Sequence, residues 1–339
     1  MKNHRRILSA LLLVIFAAAA STGRSADQGD VRSVVGVDTG FAFSVHAVAD
    51  YAGSLDPCGC KVPLGGLSRR AGYAHDVAEA FAAAPVISVD AGHMFASISG
   101  KDATFVGDPR VRNEWVLKAL DYLEVRAANV APYDIPYLAT VMERSGFDAR
   151  AAALPALARF VSANVVPTGP GLRPFLPFLV VEVAARKADR PVRVAFIGAT
   201  AVPKGGGAIA GYSIVDPPDA VRKAVAEART KSDVIVVLAY MGKSEIQRLQ
   251  NSVAGIDLVM AADRYPRAKS NADLEVPATV TVANEGRYVT DLRVHLGPER
   301  RPVKFELRSV ALDPQVTDDR AAARLAHEGR MAAEAAAAK

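Results

Sequence analysis

Cysteine is scarce in this chain: 339 residues contain two, Cys58 and Cys60, set two apart. A chain of this length can build its core without disulfide staples, so the pair is not needed to hold a fold together. Basic blocks interleaved with aromatic residues are absent, which excludes the usual nucleic-acid-binding surface. The formal charge of +5 owes much to the N-terminus, because residues 1–20 hold Lys2, Arg5 and Arg6 and no acid and the remainder carries +2. A membrane-crossing helix needs roughly 20 apolar residues. The N-terminal run 7–20 has 14. No cysteine lies near the end of that run, which argues against a lipid-attached N-terminus. Internal repeats and long low-complexity linkers are also missing. The stretch Pro203-Lys-Gly-Gly-Gly207 lacks the spacing of a phosphate-binding glycine loop and reads as a surface connection.

What the chain does have begins with basic residues, an apolar stretch and small residues to Ala26, the pattern of a secretory signal peptide over 1–26. A flexible segment is expected over 27–39, a main α/β domain over 40–312 and an alanine-rich C-terminal helix over 313–339. This organisation predicts a periplasmic or secreted protein with no integral membrane span once the signal is removed. Short runs rich in Val, Ile and Phe predict strands at 41–48, 85–90, 125–129, 160–164, 178–183, 193–198, 234–239, 257–260, 278–283 and 303–310. Helices are expected at 67–83, 109–123, 220–230, 244–251 and 318–338. Early strand–helix alternation implies parallel crossovers, and the later spacing implies antiparallel pairing. The fold class that fits is an α/β sandwich of two mixed sheets. The tail helix, whose apolar face is mostly Ala with Leu325 and Met331 as larger anchors, is expected to pack weakly.

Chemistry concentrates in Asp50-Tyr-Ala-Gly-Ser-Leu-Asp-Pro-Cys-Gly-Cys60, followed by Pro63-Leu-Gly-Gly-Leu67. This loop leaves the carboxyl end of a strand, the edge where ligands bind in open α/β sheets. Pro57 biases Asp56 toward an extended backbone and Gly59 frees the turn between the sulfurs, so Cys58 and Cys60 can act as a pair. A bridge across one residue closes a minimal loop and stabilises little, which favours an exchange site over a staple. The helix start near Gly66, with Lys61, Arg69 and Arg70, favours thiolate. Cations in a helix's first turn are mildly disfavoured, so Arg69 is a candidate anion ligand, while Arg70 is expected to be solvated. His46, His75, His295 (in a late strand) and His327 are read as structural or exposed residues.

The order of segments resembles the calcineurin-like metallophosphoesterase superfamily, in its periplasmic 5′-nucleotidase and UDP-sugar hydrolase branch. The resemblance rests on Val89-Asp-Ala-Gly-His93, Ala128-Asn-Val-Ala-Pro-Tyr-Asp134, Ser162-Ala-Asn164, Val194-Ala-Phe-Ile-Gly198, Ser232-Asp-Val-Ile-Val-Val-Leu238, Gly255-Ile-Asp-Leu-Val259 and Asn284-Glu-Gly-Arg-Tyr288. Pro57-Cys-Gly-Cys60 together with Pro63-Leu-Gly-Gly-Leu-Ser-Arg-Arg-Ala71 looks like a subgroup in which some members carry selenocysteine. The resemblance implies an αββα sandwich and, in intact members, two divalent metals that clamp an in-line displacement. Asp50 matches the first Asp ligand, yet Ala52 stands at the neighbouring His. His93 replaces the metal-bridging Asp, and Asn129 matches the family's Asn with a shift of one residue. The His after that Asn falls on Val130 or Ala131, the lone His corresponds to Tyr240 or a neighbour, and the last motif becomes Ala262-Asp263-Arg264-Tyr265.

Losing this many ligands removes the charge that holds two dications. The expected metal candidates shrink to Asp50, His93 and Asp263. With the two thiols, His93 would suit one soft or divalent metal, zinc, copper or manganese, or none. Arg69, Asn129 and Asn164 are the candidate substrate or anion contacts. The leading functional expectation is thiol redox or thiol–metal chemistry at Cys58 and Cys60, acting on a thiol, disulfide or small anionic substrate with a secreted redox partner. The alternatives are a residual metal-dependent phosphoester, nucleotide or sulfur-ester hydrolase, and a noncatalytic ligand- or partner-binding protein.

Overall fold

The computed structural model describes residues 34–98, 107–262, 271–283 and 285–339. The expected signal peptide, the segment 27–33, Asp263 and Asn284 lie outside these residues. In chain order the strands are β1 (Phe43–Val48), β2 (Val86–Asp90), β3 (Ala127–Asn129), β4 (Phe160–Val161), β5 (Val165–Pro167), β6 (Phe178–Val183), β7 (Val192–Thr200), β8 (Ala208–Ile209), β9 (Tyr212–Ile214), β10 (Val234–Tyr240), β11 (Leu258–Ala262), β12 (Ala272–Glu275), β13 (Ala278–Thr281), β14 (Tyr288–Leu296) and β15 (Pro302–Ala311). The helices are α1 (Leu67–Ala80), α2 (Pro109–Tyr122), α3 (Ile135–Val141), α4 (Phe147–Ala153), α5 (Pro217–Arg229), α6 (Lys243–Ser252) and α7 (Arg320–Ala337).

Two mixed sheets dominate. One has the order β12-β15-β14-β1-β2-β3-β4, and the other β13-β11-β10-β7-β6. β1 to β4 run parallel, while β14 and β15 join β1 as an antiparallel extension. A small third sheet, β5-β9-β8, lies outside the pair. β10 shows how the layers form: Val234, Val236, Leu238 and Tyr240 enter the core between the sheets, and Ile235, Val237 and Ala239 face the α5–α6 side. This alternation follows from the two-residue strand period. Covering both faces makes the strand a continuous apolar run. On the far side of the first sheet, Val48, Tyr73, Val77, Leu117, Leu120 and Ala322 form the core under α1, α2 and α7. Helix, sheet, sheet and helix therefore stack as the expected sandwich.

Two expectations fail. β14, at nine residues, is signalled in sequence only at His295, because Thr290, Asp291 and Arg293 interrupt its apolar pattern, yet all three are buried. Tyr73 Oη donates to Asp291 at 2.8 Å, His46 Nε2 lies 3.5 Å from Asp291, and Arg293 donates to the carbonyls of Val35 and Val37. The tail helix is the second. α7 presents buried Ala322, Ala326, Gly329 and Ala333, and any Cβ at Gly329 would come within 2.9 Å of Trp115 on α2. Small residues permit close approach, whereas Met331 is 49 % exposed and anchors nothing. Asp319 caps α7 by accepting from the Ala322 amide at 2.7 Å.

Candidate functional site

The loop after β1 is clamped along its length. Arg112, buried on α2, donates to the Gly53 carbonyl at 2.8 Å and to Asp56 at 2.8 Å. Arg69 donates to the carbonyls of Pro63 and Leu312 and lies 3.6 Å from Asp318. It therefore binds its own loop, and its guanidinium is not offered to a cleft. The Cys58 amide donates to the Leu64 carbonyl at 2.8 Å, and the Leu64 amide donates to Cys58 Sγ at 3.3 Å. Cys58 and Cys60 are joined in a disulfide. Cys58 is half-buried, while Cys60, Lys61, Val62 and Pro63 form an exposed lip. α1 begins at Gly66 with no side-chain cap.

A second polar group sits where β1, β2 and β10 end. Asp50 Oδ1 meets His93 Nδ1 directly, and Tyr240 Oη donates to the same oxygen at 3.1 Å. Tyr133 packs on the imidazole with ring centroids 4.4 Å apart. Asp50, Ala52 and His93 have φ of 59°, 45° and 57°, a region that non-glycine residues rarely occupy. The two loops are zipped past the strand ends by Asp50 N–H to Gly92 O, Ala52 N–H to His93 O and Gly53 N–H to Met94 O. Asp134, fully buried, fixes the second loop by accepting from the amides of His93, Met94, Phe95 and Ala131. Burial pushes its carboxyl up, against those bonds and the His93 charge. Burial likewise raises the Tyr240 phenol, reinforced by Asp50, so it stays a neutral donor.

Asp90, at the end of β2, is also fully buried. Desolvation pushes its carboxyl up to about 7, although Arg70 and the Gly92 amide oppose this. Arg70 lies 3.6 Å from it with a side chain only 12 % exposed, so the expectation of a solvated Arg70 is corrected. Asn129 and Asn164 are buried among backbone groups. Asn129 Nδ2 donates to the carbonyls of Ala91 and Ala199, and Asn164 Nδ2 to those of Thr200 and Val215 while its oxygen accepts from Thr200 N–H. Both tie strands together, and an anion would have to displace those bonds.

Of the residues singled out from sequence, Asp50 and His93 come together, and Cys58 and Cys60 come together. No hydrogen bond or ring contact among the described residues joins one pair to the other. Tyr133, Asp90 and Arg70 carry no sequence signal as neighbours of this site; Tyr240 has one in its correspondence to the lone His, at the end of a continuous apolar strand. Among the described residues no cluster of three or more His, Cys, Asp or Glu is arranged to hold a metal. The donor set explains why. His46, His75 and His295 face Asp291, Asp319 and Glu306, and His327 accepts from Arg330. Asp134 is filled by amides and Asp90 faces Arg70 and Gly92. The described residues do not fit a two-metal centre, nor do they gather His93 with the two sulfurs around one ion.

No family model matches the chain, and no curated protein does. Solved structures do. A 5′-nucleotidase precursor from Thermus thermophilus matches with a TM-score of 0.65 at 20% identity, over 86% of this chain and 59% of that one. The sulfate thiohydrolase SoxB of the same organism gives 0.62 at 14% identity, over 85% and 60%. The NAD nucleotidase of Haemophilus influenzae gives 0.58 at 14% identity, over 79% and 56%. The chain thus has the 5′-nucleotidase type of metallophosphoesterase fold and spans about three fifths of these neighbours' length. At such identities the likeness is one of fold. Among the described residues no helix is long and apolar enough to cross a membrane.

Proposed function

We propose that Cys58 and Cys60 form a thiol–disulfide exchange site carried on a metallophosphoesterase-type scaffold, acting in the periplasm or outside the cell on a thiol or disulfide substrate. The observation that carries this is the asymmetry of the pair: Cys60 is exposed, while Cys58 Sγ is half-buried and accepts the Leu64 N–H. Exchange is fastest when the attacked sulfur is accessible and the leaving thiolate is stabilised. A substrate thiolate attacks Cys60 Sγ, and Cys58 leaves as a thiolate held by the Leu64 amide. The substrate's second thiolate then attacks its own sulfur in the mixed disulfide, and Cys60 leaves. Two electrons have moved to the protein, the substrate has become a disulfide, and a secreted redox partner's disulfide restores the starting state. In the reverse direction Cys60 attacks and Cys58 resolves.

The clamps of Arg69 and Arg112 support the reading, because they fix the loop on both sides of the sulfurs without covering Cys60. Metal-dependent hydrolysis, as in the nucleotidases whose fold the chain shares, has less support because Asp50 and His93 bind each other and Tyr240. An insulin- or glutathione-linked exchange assay tests the proposal. Cys60→Ser should abolish turnover, and Cys58→Ser should trap a mixed disulfide visible by mass spectrometry. Exchange at the native rate in both variants would end it.

A further inference from the structure

At the opposite end of the sandwich from Asp50 and His93, three connections meet: residues 38–42 entering β1, 184–191 between β6 and β7, and 297–301 between β14 and β15. They enclose a pocket of about 340 Å³ lined by Gly40, Arg186, Lys187, Asp189, His295 and Arg300 among others. That is near the lower end of small-molecule sites, which run from roughly 300 Å³ upward.

Three of its lining residues each keep a buried nitrogen with no hydrogen-bond acceptor: Nε of Arg186, Nε of Arg300 and Nε2 of His295. Carboxylates stand nearby without closing the gap, with Arg300 Nε 3.7 Å from Asp233 and His295 Nε2 3.6 Å from Glu306. Other atoms of the arginines are paired, Arg186 with Asp38 at 2.8 Å and Arg300 with Asp189 at 3.1 Å. Glu299 also lines the pocket. Lys187 has no hydrogen bond or ion pair among the described residues, and its side chain is exposed. Buried donors are nearly always satisfied; Arg300 Nε and His295 Nε2 look toward Asp233 and Glu306, so Arg186 Nε and the unpaired Lys187 ammonium are the donors that point to an absent acceptor.

Backbone strain converges there as well. Lys187, Glu299 and Arg300 have φ of 61°, 60° and 61°, three of the nine non-glycine residues in the left-handed region among those described. Another three are Asp50, Ala52 and His93 of the polar centre at the other end. Strain of this kind persists at ligand clamps, where the surroundings over-determine the conformation. Positive charge, unpaired donors and a small volume select a compact acceptor of negative charge. We propose that this pocket binds a small oxyanion, a carboxylate or a phosphate group, and that Lys187 closes over it. The proposal does not depend on the thiol chemistry.

Isothermal titration calorimetry of the full chain with inorganic phosphate and, separately, succinate tests this. One-site binding of either probe is expected, and the probe that binds names the acceptor group. Lys187→Gly removes the ammonium and relieves the positive φ, so it should weaken binding at least tenfold while the melting temperature holds or rises. Lys187→Arg should bind within a few-fold of the native chain, and a Cys58→Ser, Cys60→Ser double variant should bind unchanged. Absence of binding by both probes, native affinity in Lys187→Gly, or loss of binding in the cysteine variant would each overturn the assignment.

Discussion

Asp90 offers a sharp test of the electrostatics beneath the polar edge. Its carboxyl is 0% exposed, one oxygen accepts the Gly92 amide at 3.1 Å, and Arg70, 3.6 Å away, and the Tyr51 hydroxyl also face it. Burial raises its pKa from 3.8 to about 7. The folded protein therefore binds this proton more tightly than the unfolded chain does. Stability falls as pH rises through the interval and the loss is complete above about 7, where both states are ionised. At about 1.4 kcal/mol per tenfold change in affinity, the whole effect is about 4 kcal/mol, of which about 3 kcal/mol falls between pH 5 and pH 8. Asp90→Asn conserves volume and can still accept the Gly92 amide, but it cannot ionise. Urea unfolding at pH 5, 6, 7 and 8 and constant ionic strength should show the variant gaining on the native protein by about 3 kcal/mol over that range. Groups that do not sense Asp90 contribute equally in both proteins and drop out of the difference. Parallel pH profiles would refute the reasoning, because they would mean that Asp90 is ionised in the fold throughout.

Two further substitutions probe the packing that holds the cysteine loop. Gly72→Ala should destabilise by about 1–3 kcal/mol despite alanine's better helix propensity, because the new Cβ would collide with the Thr317 carbonyl that leads into α7; an unchanged or raised melting temperature would contradict this contact. Arg112→Met should cost about 2 kcal/mol by leaving the buried Gly53 carbonyl without its donor and Asp56 with Arg330 as its remaining partner. It should also speed amide exchange across the loop between Asp50 and Leu67, and native exchange rates there would show that the clamp lies elsewhere.

The sandwich was legible in sequence wherever strands are buried on both faces, since β7 and β10 are near-continuous apolar runs. β14 was not, because its buried Asp291 and Arg293 look like surface residues until their partners are known. His46 and Tyr73, which help hold the Asp291 carboxyl down at about 2 against burial, lie more than 200 residues away in sequence. The seven-residue helices α3 and α4 were too short to declare a helical period. The site divides in the same way. Cys58 and Cys60 were legible because only Gly59 separates them, and Asp50 and His93 because their types stood out at strand ends. Arg70 was misread because its partner Asp90 belongs to β2 and not to its own helix, and Tyr133 was passed over because only the fold lays it on His93.

The carboxyl edge carries a consequence for how this scaffold is used. A buried aspartate such as Asp50 must be met by donors or cations, since an unpaired charge there is costly. His93 and Tyr240 meet it from within the chain, and burial keeps the Tyr240 phenol protonated. Their contact also holds the ends of β1, β2 and β10 together at the point where the cysteine loop departs. The Ala52 and Gly53 amides then bind the backbone of His93 and Met94, carrying that fixed geometry into the loop's first residues. Arg112 takes over at Gly53 and Asp56, and Arg69 at Pro63. The chain of contacts runs without a break from Asp50 to the residues on either side of the sulfurs. On this reading the polar centre is a positioning device, and the chemistry belongs to the exposed disulfide that it helps to hold in place.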